Sequence, residues 1–358
     1  MMDEAKYNRL PHAGDFEKKQ GAEVLYLAPR PLPTGVNAFS GQRMHKEING
    51  VFLDFAPSAG GLEFAVRVSV GSIVNIFVLF FLSGLGLGFF EYFNSGEPVL
   101  GFLINFIIPN YYLWGFLVLL ILMAGIPLTK TILEVINEPP VRFNRQRREV
   151  AYVPKKGQPP LIVPWEEVIA CVTVGSVVTE YAVMPSASLM IGLRNSSSGA
   201  VAWLTIPTGH LSLAVSEWEA LRVYMEEGPE AVPVTLLTDE EFQEGTVAYF
   251  HMCREVYREM HAWPVYAFGF LTIQFCSGWT LPCRLAQWVG NQPKAAFPDS
   301  IVEWSKPIPA EQHAQPSPEL LQQSAEVREA FSQGLNLLEF YNIKFSQDKA
   351  APDNELGQ

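Results

Sequence analysis

The chain has 358 residues, a formal net charge of −12, 49% hydrophobic residues and 17% charged residues. This length allows two ordinary domains, and the low charged fraction favours a membrane protein with a sizeable soluble part over a purely soluble protein. The acidic balance argues against a nucleic-acid-binding protein, because contacts with phosphates need clustered cations.

Residues 1–67 form a polar N-terminal segment with eight basic and eight acidic residues. Its first residues carry charges with no apolar run behind them, which predicts that no cleaved signal peptide is present. Asn49-Gly50 is a turn signal before an apolar, β-prone run. The segment is expected to be cytoplasmic and could add a strand or two to a later domain.

Two long apolar stretches follow. Val68 to Phe90 contains no charged residue, and neither does Pro98 to Thr129. A bilayer-spanning helix needs about 20 mostly apolar residues. We therefore predict transmembrane helices at 68–92 and 111–133, joined by an external loop at 93–110. The alternative, two buried helices of a soluble fold, is disfavoured because such helices usually keep a polar face.

The flanking charge predicts the orientation of these spans. Residues 1–67 hold eight Lys or Arg, the loop holds none, and residues 130–156 hold seven. Basic flanks stay in the cytoplasm, so we expect both termini to be cytoplasmic and the hairpin tip to lie outside. Gly84 and Gly88 share one helix face, where small residues favour close helix approach and would allow a homo-oligomer.

A basic collar follows the second span. It is predicted to bind anionic lipid headgroups, at about 1 kcal/mol per cation. Its members are Arg142, Arg145, Arg147, Arg148, Lys155 and Lys156.

Residues 141–228 have the pattern of a β domain closed by a helix. "VRFNRQRREVAYV" predicts a strand, a turn and a strand, "LIVPWEEVIACVTV" a further β-rich run, and "ASLMIGLRN" with "AVAWLTIPTG" a hairpin. An amphipathic helix should follow, with Ser216 as its N-cap and Gly228 as its stop. The insertion "GSVVTEYAVMPSAS" leaves the strand count open.

This arrangement resembles the bacterial pleckstrin-homology-like domains of membrane-attached proteins. The matching residues are Arg142, Phe143, Asn144, Arg147, Glu149 and Val150, then Ile162, Val163, Trp165, Glu166, Val168 and Ile169. The resemblance implies an α+β membrane protein, in which a transmembrane hairpin carries a β-barrel or sheet with a capping helix and a helical C-terminal region. The chain is also similar to two-span proteins encoded beside type VI secretion effectors, which implies an immunity or accessory role.

Residues 229–345 are predicted to form an acidic helical region, and 346–358 a disordered tail. Thr238 and Glu241 match a capping box, and Ser317 is a second N-cap. The uncharged stretch 262–283 is expected to lie on the membrane surface or under the spans, with a third span as the alternative. The predicted surface for a basic protein partner consists of Glu217, Glu219, Glu226, Glu227, Glu230, Asp239, Glu240, Glu241 and Glu244.

The sequence offers little for catalysis. We find no phosphate-binding loop, dinucleotide fingerprint, zinc-protease motif or nucleophile elbow. The four cysteines are predicted to be free, and neither they nor His251 and His261 form a metal pattern, so no cofactor or metal is expected. The prediction is a non-enzymatic inner-membrane binding protein. The alternative is an anionic-lipid-sensing scaffold or a membrane-bound lipid-modifying enzyme.

Overall fold

The computed structural model describes residues 12–19, 22–40, 44–56, 59–137, 139–154, 158–178, 183–233, 245–292 and 295–341. Its contacts divide the chain into two units. Unit 1 comprises Met1–Pro57, Glu138–Leu236 and Ala295–Gln358, and unit 2 comprises Ser58–Asn137 and Leu237–Lys294. The region predicted as one helical part, 229–345, is therefore shared between the two units. The predicted tail, 346–358, lies outside the described residues.

Unit 1 is built on two antiparallel sheets. Ten strands are present in the described residues: β1 Phe16–Lys19, β2 Ala22–Ala28, β3 His45–Ile48, β4 Phe52–Phe55, β5 Val141–Asn144, β6 Glu149–Tyr152, β7 Leu161–Pro164, β8 Ile169–Val178, β9 Val183–Arg194 and β10 Val201–Pro207. Sheet A has the order β1-β2-β8-β9-β10 and sheet B the order β3-β4-β5-β6-β7. The chain is thus α+β with two antiparallel sheets. Of the predicted β-barrel or sheet, these strands form sheets and not a closed barrel.

The N-terminal segment is part of this fold. β2 pairs with β8 and β4 pairs with β5, so the segment supplies two strands to each sheet. The predicted Asn49-Gly50 hairpin is confirmed as the connection between β3 and β4. The insertion before "ASLMIGLRN" lengthens β8 and β9, which stay in register as far as the pair Val178 and Val183.

The two sheets and one helix enclose the main core of unit 1. Helix α4, Leu211–Glu227, packs Trp218, Leu221 and Tyr224 against apolar side chains of both sheets. Gly228 ends this helix with φ +107°, as predicted. The predicted N-cap Ser216 is wrong, because the helix begins at Leu211 after His210 and Ser216 is buried within it.

Unit 1 also contains α9 at Asp299–Trp304 and α10 at Pro318–Ser332. The predicted cap of α10 is confirmed, since Ser317 Oγ accepts the backbone N–H of Leu320 at 3.1 Å.

Unit 2 contains two helices that, by length and composition, could cross a membrane, as counted over the described residues. They are α1, Ala59–Ser95, and α3, Tyr111–Asn137. At about 1.5 Å per residue, α1 is longer than the roughly 30 Å core of a bilayer. Its first turns, which include Glu63 and Arg67, therefore extend beyond the uncharged stretch.

The connection predicted as a loop, 93–110, is partly helical. It contains α2, Val99–Phe102, and a π-helical segment, Leu103–Ile107. A Cβ at Gly88 would lie 2.9 Å from Val99 Cγ1, and one at Gly84 would lie 3.7 Å from Leu103 Cδ2. The face expected to meet a second copy is therefore covered by this chain's own connection.

The other elements described in unit 2 are helices. Its helices are α5 Val247–Met260, α6 Trp263–Val265, a π-helical segment Tyr266–Leu271, α7 Thr272–Cys276 and α8 Leu281–Gly290. Thr246 caps α5, whereas the predicted capping pair Thr238 and Glu241 lies outside the described residues. Helix Trp263–Cys276 is continuous and shorter than the about 20 residues that a span requires.

Candidate functional site

The basic collar, as far as it is described, is a structural clamp. Arg142 forms a two-pronged ion pair with Asp54, with Nε 2.6 Å from Oδ1 and Nη2 2.7 Å from Oδ2. Its Nη1 donates to Ser305 Oγ at 2.9 Å, and its guanidinium lies 3.6 Å from the Phe52 ring centroid and 4.2 Å from that of Phe297. Burial raises the pKa of Asp54, and the hydrogen bonds from Arg142 oppose that rise.

Arg148 links the turn between β5 and β6 to the C-terminal end of α4. It donates to both carboxylate oxygens of Glu226, at 2.9 and 2.8 Å, and to Glu166 Oε1 at 3.3 Å. Trp165 Nε1 also donates to Glu226, at 2.8 Å. The Glu166 carboxylate also accepts hydrogen bonds from the backbone N–H and the hydroxyl of Ser317. One arginine thus links a strand turn, α4 and the start of α10.

The other two described collar residues also face the protein. Arg147 Nε donates to the Trp304 carbonyl at 2.9 Å. The Arg145 guanidinium lies over Gly228, at the C-terminal end of α4, where helix carbonyls attract a cation. Arg142 and Arg148 are buried, at 8% and 7% exposure. Lys155 and Lys156 lie outside the described residues, and headgroup binding by the collar stays a prediction.

The predicted acidic surface on α4 is largely internal. Glu217 accepts Ser40 Oγ at 2.8 Å and lies 3.2 Å from His45 Nε2. Glu219 accepts the backbone N–H and the hydroxyl of Thr34, and its other oxygen accepts two N–H groups of Arg222. The N-terminal segment therefore covers the face of α4 that the amphipathic pattern assigned to solvent.

Few of the nine predicted partner-binding carboxylates lie at the described surface. Glu227 and Glu230 are exposed, whereas Glu226 is held by Arg148. Asp239, Glu240, Glu241 and Glu244 lie outside the described residues. Among the residues that the structure describes, these carboxylates do not form one exposed patch. Partner binding stays a prediction for Glu227 and Glu230, and for the four residues outside the described ranges.

Unit 1 also contains a groove that the sequence did not predict. Its volume is about 560 Å³, and it lies between the start of β7 and the β9–β10 hairpin. The residues that line it include Pro154, Pro160, Ile162, Asn195, Val201 and Ala202. β7 and β10 are the edge strands of sheet B and sheet A at this end.

β10 differs from the other edge strands of the described sheets. β1 and β3 have four residues each and carry charges, and β7 also has only four residues. β10 has seven residues, "VAWLTIP", with no charge and with proline at its last position only. Charges, short length and proline are the features that keep an edge from pairing with another chain. β10 therefore presents the least protected edge, and Trp203, 47% exposed, stands on it.

The histidines and cysteines do not assemble into a reactive centre within the described ranges. His261 Nδ1 lies 3.0 Å from the Tyr257 carbonyl oxygen, and its ring stacks on Tyr257. In the part of the chain that the structure describes, the four cysteines form no disulfide, and no group of three potential metal ligands is found. Burial raises the pKa of the Cys171 thiol to about 11, which lowers its reactivity.

Comparison with known families gives one result. Residues 118–316, more than half of the chain, match the model of DUF6708, a family of unknown function. The chain belongs to this family. No curated protein and no solved structure matches the chain. The matched region begins inside α3 and contains β5–β10, α4 and α9, so the groove and the β10 edge lie within it.

Proposed function

We propose that this DUF6708 protein is a non-enzymatic, membrane-anchored binding protein whose unit 1 captures an extended segment of a partner protein. In this proposal α1 and α3 cross the bacterial inner membrane, with both termini in the cytoplasm. Unit 1 is then a pleckstrin-homology-like domain, connected to the spans through the chain before α1 and after α3. Reporter fusions at residues 1, 100 and 358 test the orientation, and an external signal at residue 358 would contradict it.

The β10 edge is the observation that carries this proposal. An extended peptide can add a strand to an exposed sheet edge, where backbone hydrogen bonds give affinity and neighbouring pockets select side chains. β10 offers such an edge without charges, and the groove of about 560 Å³ lies directly beside it. Ile162 lines the groove and is exposed, and Trp203 is exposed on β10 itself, so both supply apolar contact area. Tryptophan is among the residues that most often dominate interface energies.

The resemblance to proteins encoded beside type VI secretion effectors supports a more specific role. We propose that the partner is a cognate antibacterial toxin or a secretion component, and that this protein acts as its immunity or accessory protein. Strand addition suits such a role, because it can hold a toxin segment in an inactive arrangement.

A lipid-sensing scaffold or lipid-modifying enzyme is the weaker candidate. Headgroup binding needs accessible cations, but Arg142 and Arg148 are committed to buried ion pairs. Among the described collar residues, Arg145 and Arg147 are the half-exposed ones, and Arg147 already donates to Trp304.

The proposal is tested by co-expression with the product of each neighbouring gene, with cell growth and Kd as readouts. Trp203→Lys places a charge on the β10 edge. We expect it to abolish protection and to weaken binding by about 2 kcal/mol, roughly thirtyfold in Kd. The matched control is Leu321→Lys, since Leu321 is 58% exposed and lies on helix α10 rather than on a sheet edge.

The outcomes separate binding from catalysis. If Trp203→Lys and Leu321→Lys both bind and protect like the wild type, the β10 edge is not the docking site. If protection instead disappears with His251→Ala or His261→Ala while thermal stability is unchanged, an enzymatic site exists and the binding proposal is wrong.

A further inference from the structure

The helical hairpin formed by residues 263–290 in unit 2 has its tip beside the start of the uncharged part of α1. A Cβ at Gly71 would lie 3.7 Å from the Ser277 backbone, and one at Gly278 would lie 2.6 Å from Val70 Cγ1. The tip, residues 277–280, therefore lies at the level of residues 70–71 of α1. The glycines permit this close approach, and Gly278 also adopts φ +86° in the turn.

Arg67 fixes the hairpin at this level. Its Nη1 donates to Gln274 Oε1 at 2.6 Å and to the Trp279 carbonyl at 3.3 Å, on the two sides of the turn. Its Nε donates to Glu63 at 2.6 Å, one helical turn earlier on α1. The Glu63 carboxylate thus neutralises the charge of Arg67, and the hairpin accepts hydrogen bonds from its guanidinium. This pairing allows a charged group to lie next to an apolar segment.

The two arms of the hairpin are held differently. Ala286 and Val289 of α8 are buried against Leu62 and Val66 of α1, with α3 residues packed around them. Helix Trp263–Cys276, by contrast, leaves large apolar side chains exposed. These are Trp263, Val265, Phe268 and Phe275, with Leu281 just beyond the tip.

This exposed apolar surface continues the surface of α1. Phe64 and Val68, which stand on α1 near the tip, are exposed as well, as are Phe77 and Leu79 further along the helix. A concentration of exposed apolar side chains of this kind marks an interaction site. Helix Trp263–Cys276 measures about 21 Å at 1.5 Å per residue, too short to cross a core of about 30 Å.

We propose that the hairpin 263–290 is a wedge inserted into the cytoplasmic boundary of the bilayer, with lipid as the partner of its exposed face. The tip reaches the depth at which α1 enters the membrane, and Phe268 and Phe275 lie among the headgroups and upper acyl chains. An interfacial helix with aromatic side chains on one face binds a membrane in this way. The wedge rests on the proposed anchoring by α1 and α3.

The test measures depth in the full chain, reconstituted into vesicles of phosphatidylethanolamine and phosphatidylglycerol. A fluorescent coumarin amino acid replaces Phe275, and it is quenched either by iodide in water or by nitroxides at carbon 5 or carbon 12 of the lipid chains. We expect position 275 to be quenched most by the carbon-5 nitroxide and to be protected from iodide. The controls are Val78, exposed on α1, and Trp203 on unit 1.

The controls distinguish the wedge from the anchor. If position 78 is quenched by lipid nitroxides and position 275 is quenched by iodide as strongly as position 203, the wedge is wrong and the anchoring stands. If positions 78 and 275 both respond to iodide like position 203, the anchoring and the proposed function fail as well. Stronger quenching of position 275 by the carbon-12 nitroxide would place the hairpin deeper than the boundary and overturn the proposal.

Discussion

Arg142 provides a sharp test of the buried clamp, because its charge is matched by a single carboxylate. The ion pair with Asp54 has two short contacts, and its side chains are 9% and 8% exposed. Removing one member of a buried pair typically costs about 3–5 kcal/mol, because the other charge is left without a partner. We expect Arg142→Gln to lower the free energy of unfolding by about 4 kcal/mol.

In a domain of roughly 200 residues, each kcal/mol changes the Tm by about 2–4 °C, so the Tm should fall by about 8–16 °C. The assay is thermal unfolding of the full chain in detergent, followed by tryptophan fluorescence. Arg147→Gln is the matched control. Arg147 is half-exposed and donates to the Trp304 carbonyl, a contact worth about 1 kcal/mol.

The pH dependence follows from Asp54. Burial already raises its pKa in the folded protein, and loss of Arg142 raises that pKa further. Protonation removes the unpaired buried charge, and folding then favours the protonated form. The destabilisation by Arg142→Gln should therefore be large near neutral pH and shrink as the pH falls through the raised pKa.

A double variant identifies the cause. Arg142→Met combined with Asp54→Leu removes both charges, and it should recover most of the lost stability. If Arg142→Gln costs no more than Arg147→Gln, the clamp is not a buried ion pair in solution. If the double variant is as unstable as Arg142→Gln, the contacts of Arg142 with Ser305 and the aromatic rings matter more than the charge of Asp54.

Two further predictions concern a glycine and a cysteine. Gly88→Ala should lower the stability by about 1 kcal/mol in thermal unfolding, because a Cβ at position 88 would lie 2.9 Å from Val99 Cγ1. The control Gly86→Ala should cost nothing, because a Cβ there has no neighbour within 4 Å. Equal effects of the two substitutions would contradict the close approach at Gly88. Cys171 should react with iodoacetamide far more slowly in the folded protein than in urea, as read by mass spectrometry, because burial raises its pKa to about 11. Equal labelling of the folded and the urea-unfolded protein would refute the burial of Cys171. Since folding raises this pKa above 9.0, the contribution of Cys171 to stability is lost as the pH rises from about 9 to about 11.

The sequence by itself determined the elements whose signal is local. Apolar length predicted α1 and α3, alternating residues predicted β5, β6, β9 and β10, and Gly228 and Ser317 marked helix ends. These signals depend on a few neighbouring residues, because a helix repeats every 3.6 residues and a strand every two. The helix caps are equally local, since the capping contact spans three residues.

The tertiary structure decided what the charged residues do. Arg142, Arg148, Glu217 and Glu219 look like surface charges in the sequence, but each side chain is buried in the fold and contacts a partner far away in the chain. A pairing such as Glu219 with Thr34 joins residues 185 positions apart, and no periodicity encodes it. The β10 edge shows the same limit, because the strand was predictable but its place at the end of sheet A depends on which strands pair. Burial of a charge and exposure of an edge are properties of the packed chain, since each is set by residues that meet only on folding.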